Sequence, residues 1–178
     1  MLLYRRIHYG YAFRKIPLTQ GKFAIVDPED YDRLARYKWY AAKNNHTFYA
    51  VRSSWLKLEK KKIKIKMHRV IMNAPAGLIV DHINHNGLDN RKANLRLATP
   101  AQNARNSLRR RNRSGYKGVC YAKNRRKYRA VIWHNNKRIH LGYFNSKTAA
   151  ALEYDKAAKK YHKEFANYNL PHSNHHRK

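Results

Sequence analysis

The sequence predicts an α+β chain built from several small units. Three observations lead there. Segments of β character crowd residues 1–66, a strand–loop–strand–helix order fills the middle, and three strands followed by one Ala-rich helix occupy residues 114–170. The apolar content of 43% is ordinary, but much of it is Tyr and Ala. A chain of 178 residues with that composition is expected to form small cores rather than one large one.

In residues 1–66, "GKFAIVD" follows a turn signal and "TFYAVRSSW" is rich in β-branched and aromatic residues. "KKIKIKM" alternates, which predicts Ile63, Ile65 and Met67 facing in and Lys62, Lys64 and Lys66 facing out. Between the first two segments, "PEDYDRLARYKW" carries Tyr31, Leu34 and Tyr37 at helical spacing. Its acids Glu29, Asp30 and Asp32 fall near the N-terminus of that helix, where the helix dipole favours them. Residues 67–107 form the middle unit, and the basic segment 108–113 is a linker. Beyond it, "YKGVCYA", "KYRAVIWH" and "KRIHLGYF" are three strands, the last two joined by an "NNK" hairpin turn. "SKTAAALEYDKAAKKYH" is a helix with Ser146 as N-cap and an apolar stripe of Ala150, Tyr154, Ala157, Ala158 and Tyr161. Residues 171–178 are a His-rich tail.

Charge narrows the partner. Forty Lys plus Arg face ten Asp plus Glu, a formal charge of +30. Such a chain is expected to bind a polyanion, because each phosphate contacted releases condensed counterions. A membrane partner is not expected, since no basic helix has a wide apolar face. Cys120 is the only cysteine, which excludes an internal disulfide and a zinc site built from Cys pairs. The start "MLLYRRIHYG" is too short and too charged for a signal peptide, so an intracellular protein is expected.

Between Glu59 and Glu153 the only carboxylates are Asp81 and Asp89, both inside "VDHINHNGLDNRKANLRLATPAQNARN". "GLIVDHI" and "NLRLAT" have strand character, and "NHNGLDNRKA" is the polar loop between them. Thr99, Pro100 and Gln102 mark a helix start with a capping box, which places Asn103 in its first turns. Asp81 and Asn103 are hard oxygen donors suited to Mg²⁺, and neutral His82 can take a proton from an attacking water. Phosphodiester hydrolysis follows from that set. The residues alone leave a second reading open, in which an adjacent Asp–His pair and an Asn-rich loop serve only turns. His85, Asp89 and Asn94 are expected to shape the loop.

The same stretch resembles the HNH endonuclease motif as found in phage-type homing endonucleases, with "LDNR", "NLR" and "QN" at the family's spacing over about residues 67–107. The resemblance implies a ββα-metal core with a β-rich N-terminal extension. It implies Asp81 and Asn103 as ligands of Mg²⁺ or a similar cation such as Mn²⁺, His82 as general base, and Asn94 as the brace that orients the base. His68, in "MHR", matches a recurrent upstream His with an expected supporting contact. Double-stranded DNA is the implied substrate, and a DNA-associated cytoplasmic location in a phage-infected host is the implied setting. Nicking versus double-strand cutting and the oligomeric state stay open.

Alternation along "KYRAVIWH" puts Lys127, Arg129, Val131 and Trp133 on one sheet face and Tyr128, Ala130 and Ile132 on the face toward the helix. Arg138 and His140 extend the first face. A three-stranded sheet can deliver such side chains to base edges and sugars in the major groove, although a merely solvated basic face is the alternative. "SGYKGV", "KYRAVI", "KRIHLGYF" and "AAALEYDKAAKKYH" resemble the plant APETALA2-type DNA-binding domain over about residues 114–168. That resemblance implies Lys117, Arg129, Val131, Trp133, Arg138 and His140 as the DNA-facing set. Cys120, Val131 and His140 depart from the plant pattern, so only a docking mode carries over. The combined expectation is a homing-type endonuclease with a C-terminal recognition module. Its rival is a non-catalytic DNA-binding regulator with a vestigial HNH fold.

Overall fold

The computed structural model describes residues 1–44, 47–107 and 112–171. The expected linker residues 108–111 and tail residues 172–178 lie outside that description. The chain divides into two compact units, residues 1–100 and residues 101 onward. The architecture is α+β, with small antiparallel sheets throughout.

The first unit opens with helix α1, Leu2–Tyr9, an element the β character of the region does not signal. Strands β1, Arg14–Pro17, and β2, Phe23–Val26, pair antiparallel. Helix α2, Pro28–Ala35, follows as expected, and its Leu34 enters the core with Ile16, Val26, Trp39 and Met67. Trp39 donates its indole N–H to the Leu34 carbonyl at 2.8 Å, which satisfies the one polar atom of that large buried ring. Tyr37 departs from the expected helical stripe. The helix has ended by then, and its ring lies half-exposed beneath the Arg52 guanidinium at 4.1 Å.

Strands β3, Tyr40–Asn44, β4, Thr47–Leu56, and β5, Lys61–Lys66, form a sheet in that order. The predicted alternation holds along β5: Ile63 and Ile65 are half-buried, and Lys62, Lys64 and Lys66 are exposed. Met67 is fully buried, but on a short helix α3, Met67–Ile71, rather than on the strand. Strands β6, Ile79–His82, and β7, Leu95–Ala98, then pair antiparallel, and Asp81 sits directly opposite Arg96.

The loop from Ile83 to Asn94 is fixed to this unit on two sides. On one side the Ile25 N–H donates to the Leu88 carbonyl at 2.8 Å, and the Asn90 N–H donates to the Ile25 carbonyl at 2.7 Å. This gives the loop one parallel bridge to β2. Acids at the N-terminus of α2 reinforce it: Asp27, just before the helix, accepts from the Lys92 N–H at 2.8 Å, and Glu29 accepts from Lys92 Nζ at 2.9 Å. On the other side Gly87 presses on β4. A Cβ there would lie 2.4 Å from the Phe48 carbonyl oxygen and 2.7 Å from the Tyr49 ring.

In the second unit, helix α4, Pro100–Asn106, leads from the unit boundary. Strands β8, Val119–Ala122, β9, Lys127–His134, and β10, Lys137–Phe144, form an antiparallel sheet in the order β8-β9-β10. Helix α5, Lys147–His162, packs on it, with Ser146 Oγ accepting from the Ala149 N–H at 3.0 Å as the expected cap. Ala130 and Ile132 point into the alanines of α5. The hairpin turn uses Asn135 and Asn136 at φ 47° and 60°, the left-handed pair that a tight two-residue turn demands.

Gly87 yields a test. Gly87→Ala overpacks the loop against β4 backbone, and a loss of about 1–3 kcal/mol is expected in urea denaturation. An unchanged midpoint would mean that the loop is not seated on β4 as described.

Candidate active site

Asp81 and His82 end β6 as neighbours, and both are buried. Arg96, paired across the two-stranded sheet, aims Nε and Nη2 at one carboxylate oxygen of Asp81, Oδ2, at 2.9 and 2.8 Å. The bond fixes the orientation of the carboxylate and offsets its charge inside the fold.

His82 is fixed by a residue that motif reasoning passed over. Its Nε2 lies 3.3 Å from Asn90 Oδ1. An amide oxygen can only accept, so Nε2 carries the proton and Nδ1 the basic lone pair. Asn90 is fully buried at 0% exposure. The signal for it was present in "LDNR". Where a loop runs alongside a strand, successive side chains point to opposite sides. Asp89 accordingly turns to Arg91 and Asn84, and Asn90 to His82. Burial lowers the pKa of His82, opposed by the Asn90 bond and by the nearby Asp81 and Asp89. The ring is therefore neutral near pH 7, as a general base must be.

Asn94 ties the two ends of the loop together, and its hydrogen bonds go to Asn84 and Asp89. Its Oδ1 accepts from the Asn84 N–H at 3.0 Å, and its Nδ2 donates to Asn84 Oδ1 at 2.9 Å and to the Asp89 carbonyl at 2.8 Å. Asp89 also belongs to this scaffold. Its burial alone would raise the carboxyl pKa, but the Arg91 fork at 2.7 and 2.6 Å and Asn84 hold it below the ordinary value.

His68 and Tyr49 complete the surroundings of the imidazole. The His68 ring meets His82 edge-on at 5.0 Å, and Tyr49 packs against both rings, 5.4 Å from His68 and 5.7 Å from His82. Tyr49, from β4, is the second residue the motif did not reveal. Burial, and then Asp81, raise its pKa. His68 is 4% exposed, and its Nδ1 has no hydrogen-bond partner among the described residues. Burial first, then His82 and the cations Lys66 and Arg69, lower its pKa to about 3.

Asn103 lies on α4, in the second unit. Among the described residues, one group of three carboxylates could hold a metal ion, Asp27 with Glu29 and Asp30. Lys92 already supplies its cation, with Nζ 2.9 Å from Glu29 and 3.4 Å from Asp30.

On the sheet of the second unit, Trp133 stands opposite Arg138, Val131 opposite His140, and Arg129 opposite Tyr143. Directly opposed residues share a face, so the anticipated set shares one face of β9 and β10. Trp133 is 60% exposed. Lys117 departs from that set. Its Nζ donates to the carbonyls of Arg105 at 2.6 Å, Ser107 at 3.1 Å and Ala104 at 3.4 Å, closing the C-terminal end of α4. Burial pushes its amine down to about 8.

The buried imidazoles make stability depend on pH. An unfolded His titrates near 6.5, and His68 in the fold near 3. A depressed folded pKa contributes stability that is complete above pH 6.5 and is lost as the pH falls toward 3. Urea midpoints are therefore expected to drop from pH 7 to pH 4.5, with His82 adding in the same direction. His68→Asn removes one titrating group and should flatten that slope. An equally steep slope in the variant would contradict the burial of a neutral His68.

Residues 66–105 match the family model described as HNH endonuclease. A protein of Acanthamoeba polyphaga mimivirus, named an uncharacterized HNH endonuclease, is 29% identical over 153 residues, covering 83% of this chain and 74% of the relative. No solved structure matches the chain. The segment that carries Asp81, His82, Asn90 and Asn94 is thus similar to the HNH endonucleases.

Proposed function

We propose that the chain is a metal-dependent endonuclease that hydrolyses phosphodiester bonds in double-stranded DNA, with His82 as general base. One observation carries the reading: a buried, neutral His82 beside Asp81, its Nε2 anchored on Asn90. Asn90 fixes the tautomer, which leaves Nδ1 as the nitrogen that would take the proton of an attacking water. Tyr49 and His68 cover the ring and keep it uncharged between turnovers.

The donor chemistry fits Mg²⁺ or Mn²⁺. The Asp81 carboxylate is a hard oxygen donor with its orientation set by Arg96. Asn103 is the proposed second donor, a role that rests on the family match through residue 105 and on its amide chemistry. Such a cation stabilises negative charge on the phosphoryl oxygens and on the leaving 3′-oxygen.

In the second unit we assign DNA recognition to Arg129, Val131, Trp133, Arg138 and His140, in an APETALA2-like docking mode, and omit Lys117. Homing-type action, at a preferred site in a DNA-rich cytoplasm, follows from pairing such a module with the nuclease unit. No described helix is long and apolar enough to cross a membrane.

Supercoiled plasmid separates this reading from that of a non-catalytic DNA-binding regulator. Wild type with Mg²⁺ should give relaxed or linear DNA, and EDTA should abolish it. His82→Ala should lower the rate by about 10²–10⁴-fold. Arg96→Met, which frees the carboxylate orientation, should cost about 10–100-fold in metal affinity or activity. Uncut plasmid with wild type, or full activity in His82→Ala, would reject the nuclease reading. For the second unit, Trp133→Ala combined with Arg138→Ala should weaken binding to the preferred site, and unchanged affinity would remove the sheet from recognition.

A further inference from the structure

The ribbon formed by β4 and β5 carries a row of cations that the catalytic reading does not use. Cross-strand register puts Lys66 opposite Val51, Lys64 opposite Ser53, and Lys62 opposite Trp55. Opposed residues share a face, so Lys62, Lys64 and Lys66 line one side of the ribbon, with Ser53 and Trp55 between them. All three lysines are exposed, and Trp55 is 59% exposed. The opposite face carries Arg52, Ile63 and Ile65. Arg52 stacks on Tyr37 and Trp39 of the same unit, so that side is held by the fold.

The lysine face is also continuous with the candidate site. Tyr49 lies on the same side of β4, two residues before Val51, and its ring packs on His82 and His68. Lys66 Nζ lies 5.6 Å from the centre of that same ring. The row therefore begins beside the imidazole and runs outward along the ribbon.

We propose that this ribbon face binds the DNA duplex on one side of the scissile bond, with Lys62, Lys64 and Lys66 on phosphates and Trp55 against sugar or base. Alternate residues of a strand are spaced by roughly 6.6–6.8 Å, so three lysines present a regular line of charge. A two-stranded ribbon also fits the major groove, which is about 12 Å wide. The deep, narrow major groove of an RNA duplex does not admit it. Direction along the strand relative to the cut rests on the nuclease reading, whereas the binding itself does not.

The test uses the full chain in EDTA, where binding is measured without cleavage. Anisotropy of a labelled random-sequence duplex is read between 50 and 200 mM salt, conditions over which phosphate contacts show clearly. The triple variant Lys62→Gln, Lys64→Gln, Lys66→Gln should reduce the slope of log K on log salt by about 2.7 and weaken binding on the order of 10²-fold at low salt. Lys156→Gln, Lys159→Gln, Lys160→Gln removes equal charge from α5 and should change the slope far less. Thermal melts of both variants confirm folding, and Lys64→Glu alone should weaken binding if the triple variant melts early. A ribbon variant that matches the α5 control, or one that loses RNA-duplex binding more than DNA binding, overturns the proposal. A chain that binds through the ribbon yet cuts no plasmid would reject the nuclease reading alone.

Discussion

The candidate site depends on the polar network, anchored on buried Asp89 and Asn94, that closes the loop between β6 and β7. Asn84, Asp89, Arg91 and Asn94 satisfy one another there with short hydrogen bonds. Such a network tolerates little loss, since a buried polar group left without a partner costs about 1–3 kcal/mol. Its reward is geometric. With the loop pinned on itself and to β2, Asn90 reaches His82 from the side opposite Asp89. Asn94 therefore acts on the imidazole indirectly, by fixing the loop that delivers Asn90.

The same loop explains why the N-terminal strands precede the site in the chain. A β-hairpin and one short helix offer too little apolar surface to hold a twelve-residue polar loop. The first unit supplies the missing contacts in three ways. Strand β2 provides backbone partners, α2 provides carboxylates for Lys92, and β4 provides the surface on which Gly87 rests. Tyr49 follows Phe48 on that strand, so seating the loop and walling the imidazole are done by one segment.

Much of this was legible in the sequence, and the failures have physical causes. Period-2 alternation located β5 and β9 because in each one face is more covered than the other, and the Ala stripe of α5 showed for a related reason. Helix α1 escaped because none of its residues is buried, so no core imposes a pattern on it. Tyr37 misled because the helical spacing continues past the last turn that the core holds. Asp81 stood out as one of few carboxylates, with a histidine directly beside it. Tyr49 could not, because its closeness to His82 is created by tertiary packing across more than thirty residues of chain. Lys117 failed for a related reason. A lysine in a strand-rich basic segment looks solvent-facing, and only the fold shows three carbonyls converging on it.

The distribution of acids bears on the field that so basic a chain projects. Asp81 faces Arg96, Asp89 faces Arg91, Asp30 faces Arg33 and Lys92, Glu59 faces Lys61, and Glu153 faces Lys156. Asp155 is buried and accepts from the Asn169 and Leu170 N–H groups at 2.8 and 2.9 Å. These carboxylates are matched inside the fold, so little negative potential is left to project toward solvent. The excess positive charge then sets the long-range field and speeds encounter with a polyanion in a salt-dependent way. Asp81 is the acid for which this matching has a second consequence. Held by Arg96 and set beside the His82 imidazole, its carboxylate is already balanced, so under the proposed reaction it would supply an oxygen ligand without adding an uncompensated charge.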